Sequence, residues 1–452
     1  MMLGRLSNSE PIRVGVIGAG MFGTQLVSQL HHALSMQPSI VADKVLERAY
    51  KAYELAGVDR SKIKYVKTAE EADRAISEGI PVVTDDSGVL IESGIDTVVE
   101  ATGDTLVGAF HAYRAILAKK NIVMVNVETD ALLGPLLKRM ADSSGVVYSL
   151  AYGDQPAIIV EHYEWARTLG LEVIAAGRGA AYTPDRRRKT PDDIMREPGW
   201  FSKYSRRFKE AFGTELNPVM YNSFMDGTKP AVECAAVSNS TGLVPDVDGM
   251  HFAPADLLEI PDVLSRREFG GVLENEHVVE TVSSIYPDGR RATNDITFGT
   301  FIVFRAPNDY LKECMRHYNV ILGKKSGNAI LYRYVHMVGI EVPYTIAKIA
   351  LYREPTGAPI GHYSDVACAA KRKLEKGTVI DACGGGYTIY GYLVKATTMK
   401  EKNLLPLGLA KGARLKRDIN ADELITFEDV ELPTSLAYEL WKIQDTVIPP
   451  QH

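Results

Sequence analysis

Lys229 and Glu233 stand four positions apart in the segment Asp226-Gly-Thr-Lys229-Pro-Ala-Val-Glu233. On a helix that spacing puts them one turn apart on the same face. A lysine beside a carboxylate can move a proton at a reacting hydroxyl and steady the charge that develops on its oxygen. The same spacing also fits an exposed ion pair of slight importance. The loop that follows, Asn239-Ser-Thr-Gly-Leu-Val-Pro-Asp246-Val-Asp248-Gly-Met-His251, is dense in Asn, Asp, Gly and Pro. It suits a substrate or metal pocket, or a turn that merely stops a helix. Its carboxylates, with Asp154, could hold a divalent cation, although their spacing does not demand one. The stretch Gly323-Lys-Lys-Ser-Gly327 reads as a phosphate nest or as a plain basic turn.

A second constellation is more specific. Residues 12–23 run as a short apolar strand into Gly18-Ala-Gly20-Met21-Phe22-Gly23. Gly18 permits a tight turn, Gly20 lets phosphates approach the backbone, and Gly23 lets the next helix pack close to the strand. Amides at the start of that helix, around Met21 and Phe22, would point at a pyrophosphate. An acidic residue at the end of the second strand would bind the adenosine ribose hydroxyls and repel a 2′-phosphate. Asp43 lies where such a residue is expected, which favours NAD over NADP; Lys44 beside it could accept the extra phosphate. Ala101-Thr102-Gly103 would approach the nicotinamide ribose, and Asn126 and Glu128 end a strand on the same edge.

Elements that could position these groups alternate from residue 12 to about 150. Strands are expected at 38–43, 81–84, 95–100 and 121–126, with helices at 44–56, 68–78, 106–118 and 131–143. Strict alternation means a parallel sheet covered on both faces, a Rossmann dinucleotide-binding domain over residues 1–151. From 152 to 360 the pattern changes to an α+β catalytic domain. A helix opens at Gly153-Asp154-Gln155-Pro156 and a strand follows at 172–176. Next comes a long polar stretch, 178–218, holding Arg186-Arg-Arg-Lys189 and Arg206-Arg207 around Trp200 and Phe201. It reads as a solvated insertion or as a lid offering cations to an anionic substrate. A main helix over 225–237, strands at 278–285 and 296–305, and an amphipathic helix at 341–352 that could pack back on the first domain complete this region. Residues 361–452 form a third module. Segments 366–380 and 413–430 each run strand, basic residues, turn, then an apolar pair, and resemble the two halves of a SAF-type β-clip.

A chain of 452 residues is long enough for about three domains. A net charge of −6 argues against nucleic acid as a partner, and no apolar run reaches the length of a membrane span. No signal-peptide core precedes the first strand. Cys234, Cys314, Cys368 and Cys383 are scattered without metal-ligand spacing, as suits reduced thiols. The expectation is a cytoplasmic homo-oligomer acting on a small-molecule substrate, without a nucleic-acid or membrane partner.

The order of the first two domains resembles homoserine dehydrogenase. Gly18-Ala-Gly-Met-Phe-Gly-Thr, Val123-Met-Val-Asn-Val-Glu128, Tyr148-Ser-Leu-Ala-Tyr-Gly-Asp154, Ala176-Gly-Arg-Gly179 and Gly242-Leu-Val-Pro-Asp246 are more closely similar to the deoxyxylulose-phosphate reductoisomerase-like enzymes. These are homoserine-dehydrogenase-like oxidoreductases with a C-terminal SAF domain, and the likeness covers nearly the whole chain. Members of that family make methylerythritol phosphate with NADPH. The resemblance implies a catalytic cleft around Asp154, Arg178, Lys229, Glu233, Asn239 and Asp246. Lys229 would relay a proton, Glu233 orient it, and Arg178 bind an anionic group, while Asn239 and Asp246 position the substrate or a divalent ion. Several departures bear on substrate and cofactor: Asp43 replaces basic residues, the Arg-rich 178–218 insertion is absent from the reductoisomerase members in this form, Arg178 replaces a lysine, and Val127 stands where homoserine dehydrogenase carries a lysine.

The function expected is an NAD(P)-dependent oxidoreductase acting on a small polyhydroxylated, anionic substrate, with skeletal isomerisation coupled to hydride transfer as one form of it. A plain homoserine-dehydrogenase-like or polyhydroxy-acid dehydrogenase is an alternative. A non-catalytic NAD-sensing or assembly protein is another, and the Lys229–Glu233 pair leans against it because a sensor needs no proton relay.

Overall fold

The computed structural model describes residues 2–196, 200–213 and 216–451. Two compact units are formed, the first from Met1–Ala157, Met337–Ala358 and Glu439–Gln444, the second from Ile158–His336, Pro359–Tyr438 and Asp445–His452.

The first unit is built on seven parallel strands: β1 (Ile12–Ile17), β2 (Met36–Ala42), β3 (Lys64–Tyr65), β4 (Val82–Thr84), β5 (Thr97–Glu100), β6 (Asn121–Met124) and β7 (Tyr148–Leu150). Their order is β3-β4-β2-β1-β5-β6-β7. Parallel neighbours need crossovers, and the helices Met21–Leu30, Leu46–Leu55 and Thr105–Leu117 supply them. Valines 14, 16, 41, 99 and 123 face Leu26 and Leu30 in one core, which Val342 and Ile346 of the helix Val342–Tyr352 complete. Strand order reverses at β1, which lies between β2 and β5, and ligands of open α/β sheets bind at such a reversal.

Two small elements escape the sequence pattern. Strand β3 is only two residues long, and the Asp85–Gly88 turn continues into the helix Ser87–Glu92, capped by the Asp86 carboxylate accepting from Gly88 N at 2.7 Å. The helix expected at 131–143 begins earlier, at Val127, because the side chain of Asn126 accepts the Thr129 amide at 3.1 Å.

In the second unit β8 (Glu172–Ala180) lies at the centre of a mixed sheet with β9 (Val244–Pro245), β10 (Val278–Ser283), β11 (Thr300–Arg305) and β12 (Ala329–Arg333), in the order β12-β11-β8-β10-β9. Strands β8, β10 and β9 run parallel, and β11 is antiparallel to both β8 and β12. The stretch 178–218 is neither a loop nor a wet insertion throughout. Strand β8 takes its start, a 3-10 turn covers Pro184–Arg188, and helices cover Pro191–Arg196 and Trp200–Phe212. Residues 197–199 and 214–215 of that stretch lie outside the described residues.

The helix expected over 225–237 is two helices, Pro218–Met225 and Thr228–Thr241. Gly227, with φ of 88°, breaks them apart in a left-handed conformation that a side chain rarely tolerates. All residues of Thr228–Thr241 are buried.

The C-terminal part of this unit pairs β13 (Ser364–Ala370) with β14 (Ile389–Lys395) and β15 (Arg414–Leu415) with β16 (Val430–Glu431), both antiparallel. Bridges Leu374–Ile419 and Val379–Arg414 join the two similar segments of the sequence. Among the described residues no helix is long and apolar enough to cross a membrane. The cysteines are free, with Cys234 and Cys368 buried.

Candidate active site

At the end of β1 the glycine turn has three different reasons for its three glycines. Gly18 has φ of 97°, and a Cβ there would stand 2.9 Å from the Ala101 carbonyl. A Cβ on Gly23 would sit 1.8 Å from the Gly18 oxygen, so helix and strand could not pack as they do. A Cβ on Gly20 would meet nothing within 4 Å. Gly20 is therefore spared by no packing demand of the fold; the open space beside it is where a pyrophosphate needs to approach. Gly20 caps the helix Met21–Leu30 without a side-chain acceptor, so the positive end of the helix begun by Met21, Phe22 and Gly23 is left open to an anion.

Asp43 follows β2 and reaches this turn. Its carboxylate accepts from Ala19 N and Val45 N, each at 2.8 Å. Two of about four lone-pair sites are thus used, which leaves capacity for ribose hydroxyls. On the other side of β1, Glu100 is fully buried and accepts from Thr102 Oγ1 at 2.5 Å and from Thr102 N at 3.3 Å. His111 Nδ1 lies 3.2 Å from the same oxygen. Glu100 thereby fixes the Ala101-Thr102-Gly103 loop against Gly18. Asn126 donates to the Asp104 carbonyl at 3.0 Å while capping its own helix, and Glu128 lies in that helix's first turn. These residues fit a dinucleotide: a turn with room for phosphate, an acid at the ribose position, and a braced loop beyond.

In the second unit Lys229 and Glu233 do stand one turn apart on the helix Thr228–Thr241, but both are buried, which removes the reading as an exposed ion pair. Glu233 accepts a hydrogen bond from Arg178 Nη1 on β8, and Arg178 Nε donates to the Gly179 carbonyl at 2.9 Å. Arg178 is 3% exposed. Its charge is committed to Glu233, which corrects its expected role as the anchor for a substrate anion.

Two further expectations are corrected by burial and by the hydrogen bonds already made. Asn239 is fully buried, and its amide donates to Ser364 O at 3.1 Å while its oxygen accepts from Tyr363 N and Ser364 N. It pins the start of β13, and with one amide N–H unused but no exposed surface it offers a substrate no access. Asp246 accepts from Glu274 N, Asn275 N, Asn275 Nδ2 and His251 Nε2 at 2.8–3.0 Å. Those N–H donors hold its pKa below the usual carboxylate range against the opposing effect of burial. A carboxylate so occupied is a poor metal ligand. Among the described residues no three His, Cys, Asp or Glu side chains gather as a metal site. Asp154 belongs to the first unit, where its side chain accepts from Gln155 N at 2.9 Å at the start of the helix Gln155–Thr168.

Several further groups receive no role from the sequence. His251 ends the Asp246 loop and is held by it, as just described. Glu280, fully buried on β10, accepts from Thr281 N at 2.8 Å, from His251 N at 3.0 Å and from Phe252 N at 3.4 Å. Burial nonetheless pushes its carboxyl up to about 7. Burial likewise pushes the neighbouring Cys234 thiol up to about 12, so it is no nucleophile at neutral pH. Lys371 is fully buried. Its ammonium donates to the carbonyls of Lys189 and Gly386 at 2.7 Å and pairs with Asp226 Oδ2 at 2.8 Å, fixing the residues just before Lys229.

The basic stretch is folded down. Arg186 donates to Ala181 O at 2.6 Å and Arg188 pairs with Asp422 at 2.9 Å. Arg187 lies 5.7 Å from the ring centroids of both Tyr182 and Tyr390, and its Nε donates to the Tyr182 hydroxyl. No carboxylate pairs with Arg187 among the described residues, and Tyr182 packs against the site of Gly227, 3.3 Å from a Cβ there. The 323–327 nest is filled from within: Asp262 accepts from the amides of Lys324, Lys325 and Ser326 at 2.8–3.0 Å.

Residues 153–342 match the family described as "Oxidoreductase DRL, catalytic domain". No curated protein matches the sequence. Among solved structures, a probable dehydrogenase from Thermotoga maritima is 14% identical, with 76% of this chain and 90% of that chain covered and a TM-score of 0.36. An oxidoreductase from Agrobacterium radiobacter, in complex with NAD+, L-tartaric acid and magnesium, is 12% identical over 38% of this chain and 45% of its own, at a TM-score of 0.26. A UDP-N-acetylglucosamine 3-dehydrogenase from Acidithiobacillus ferrooxidans is 18% identical over 38% and 48%, at 0.27. Likenesses this distant say nothing of substrate or mechanism. Residues 153–342 therefore carry an oxidoreductase catalytic domain, and the glycine turn of the first unit has the form of a dinucleotide site.

Proposed function

We propose that the chain oxidises or reduces a small, polyhydroxylated, anionic substrate, of the sugar-phosphate or sugar-acid class, with NAD favoured over NADP. The observation that carries the reading is the Asp43 carboxylate bonded to Ala19 N at 2.8 Å beside the open space at Gly20. A carboxylate there would meet a ribose diol favourably and a 2′-phosphate unfavourably. The cofactor, when bound, supplies or accepts the hydride.

Lys229, desolvated on its helix, would hold the reacting oxygen and relay its proton. Glu233 keeps Arg178 neutralised behind it. Since Arg178 is committed, Arg187 is the better anchor for the anionic group: a cation flanked by tyrosines, one of which, Tyr182, packs at Gly227 at the head of the same helix. A guanidinium in such a setting binds phosphate or carboxylate in a fixed orientation. Coupled skeletal isomerisation, as in the reductoisomerase-like enzymes, is one form of the reaction that the sequence resemblance implies, and a plain polyhydroxy-acid dehydrogenase is the other. The SAF reading of the C-terminal module rests on the same resemblance and on the bridges joining its two segments.

The test is turnover of NAD(H) and NADP(H) with a panel of branched sugar phosphates, deoxyxylulose phosphate among them, and sugar acids. Turnover on a panel member, reduced at least about 100-fold in Lys229→Ala with cofactor binding retained, supports the assignment. Cofactor binding with no turnover on any of them would favour the sensing or assembly reading.

A further inference from the structure

We infer that His251, oriented by Asp246, is the acid–base residue on which the substrate's proton ends, an inference that rests on the oxidoreductase reading of the second unit. Three observations point to it. Asp246 accepts from His251 Nε2 at 2.9 Å and is itself fixed by three other donors, so the imidazole is aimed by a rigid carboxylate. This arrangement places the proton of the neutral ring on Nε2 and leaves Nδ1 with its lone pair. Nδ1 makes no hydrogen bond among the described residues, and the side chain is 17% exposed, so it is partly shielded yet reachable.

Second, the loop is held in an unfavourable shape around this one residue. Met250 and Phe252, on either side of His251, have φ of 60° and 49°. Left-handed backbone at a bulky residue is costly, and it persists where the surroundings over-determine it. Here Glu280 does so, by accepting both the His251 and Phe252 amides.

Third, the loop leads to the head of the lysine helix. The Phe252 ring packs on Tyr182, centroids 4.2 Å apart, and its Cζ lies 3.5 Å from where a Cβ on Gly227 would be. Gly227 caps the helix that carries Lys229. Charged and titratable groups held against this loop include Asp246, bonded to the ring, Glu280, which accepts the His251 amide, and Tyr182, packed on the adjoining Phe252.

In the oxidative direction the substrate carbon gives up its hydrogen with two electrons to the nicotinamide, and becomes a carbonyl. Its hydroxyl O–H bond breaks, and the proton ends on Nδ1 of His251. In the reductive direction the same proton returns to the new alkoxide.

The experiment joins kinetics with nitrogen-15 NMR of the histidine rings in the full chain, His251 being assigned by its absence in His251→Gln. Wild-type protein at pH 8 should show His251 protonated at Nε2 and bare at Nδ1. A proton on Nδ1 instead would overturn the inference, whether or not a substrate is known. With the panel substrate that wild type turns over best, His251→Gln should lose about 100-fold or more in kcat and lose the rise of oxidation rate with pH, at unchanged NAD affinity. Wild-type turnover with a variant within about threefold of it, and the same pH profile, would remove His251 while leaving the oxidoreductase reading intact. Absence of wild-type turnover on the whole panel would overturn the oxidoreductase reading and, with it, the inference that rests on it.

Discussion

Arg178 on β8 and Glu233 on the helix Thr228–Thr241 are 55 residues apart in sequence and form a hydrogen-bonded ion pair with both side chains almost wholly buried. A pair of this kind joins sheet to helix, and its value is felt when one partner is removed. Arg178→Met should leave Glu233 charged and unpaired in the interior, destabilising the protein by about 3–5 kcal/mol. Urea unfolding would measure it. If stability stays unchanged while KM rises, Arg178 serves the substrate after all and the structural role assigned to it is wrong.

Asp43→Ala should blunt the preference between NAD and NADP. Loss of one carboxylate facing a ribose diol or a 2′-phosphate should change the ratio of the two dissociation constants by roughly tenfold, about 1.4 kcal/mol. Fluorescence titration with each reduced cofactor reads it directly; an unaltered ratio would mean that Asp43 only ties Ala19 to Val45.

Gly20 and Gly23 should respond differently to the same change. A methyl group on Gly20 enters open space, so Gly20→Ala should keep the stability within about 0.5 kcal/mol of wild type while weakening cofactor binding about tenfold or more. In Gly23→Ala the added carbon collides with the Gly18 oxygen, so the melting temperature should fall together with binding. Calorimetry and titration on both variants separate the two; a Gly20→Ala protein that binds normally would show that no phosphate passes there.

Stability should depend on pH through two buried carboxyls. Burial pushes both Asp130 in the first unit and Glu280 in the second up to about 7. Unfolded, both ionise near pH ~4. Between those values the folded chain holds protons that the unfolded chain has released, so stability falls as pH rises from about 4 to about 7 and then levels. Each group accounts for a drop on the order of 4 kcal/mol. Unfolding midpoints at pH 5 and pH 8 should differ in that sense, and less so in Glu280→Gln; an equal difference in the variant would show that Glu280 titrates normally.

What the sequence determined by itself is whatever depends on neighbours in the chain. The glycine turn is legible because Gly18, Gly20 and Gly23 act within one turn, and the parallel sheet because strand and helix periodicities alternate between residues 12 and 150. The i,i+4 placement of Lys229 and Glu233 is local too, and it stands. What only the tertiary structure decided is which charges are already spent. Asn239 is closed off by Ser364, Asp246 by Asn275, and Asp226 by Lys371, each partner far away in the chain. A side chain's type states what it can bond; its long-range neighbours state what remains for a ligand. For the same reason His251 is one residue among many in the sequence. In the fold, a saturated aspartate and a strained loop single it out.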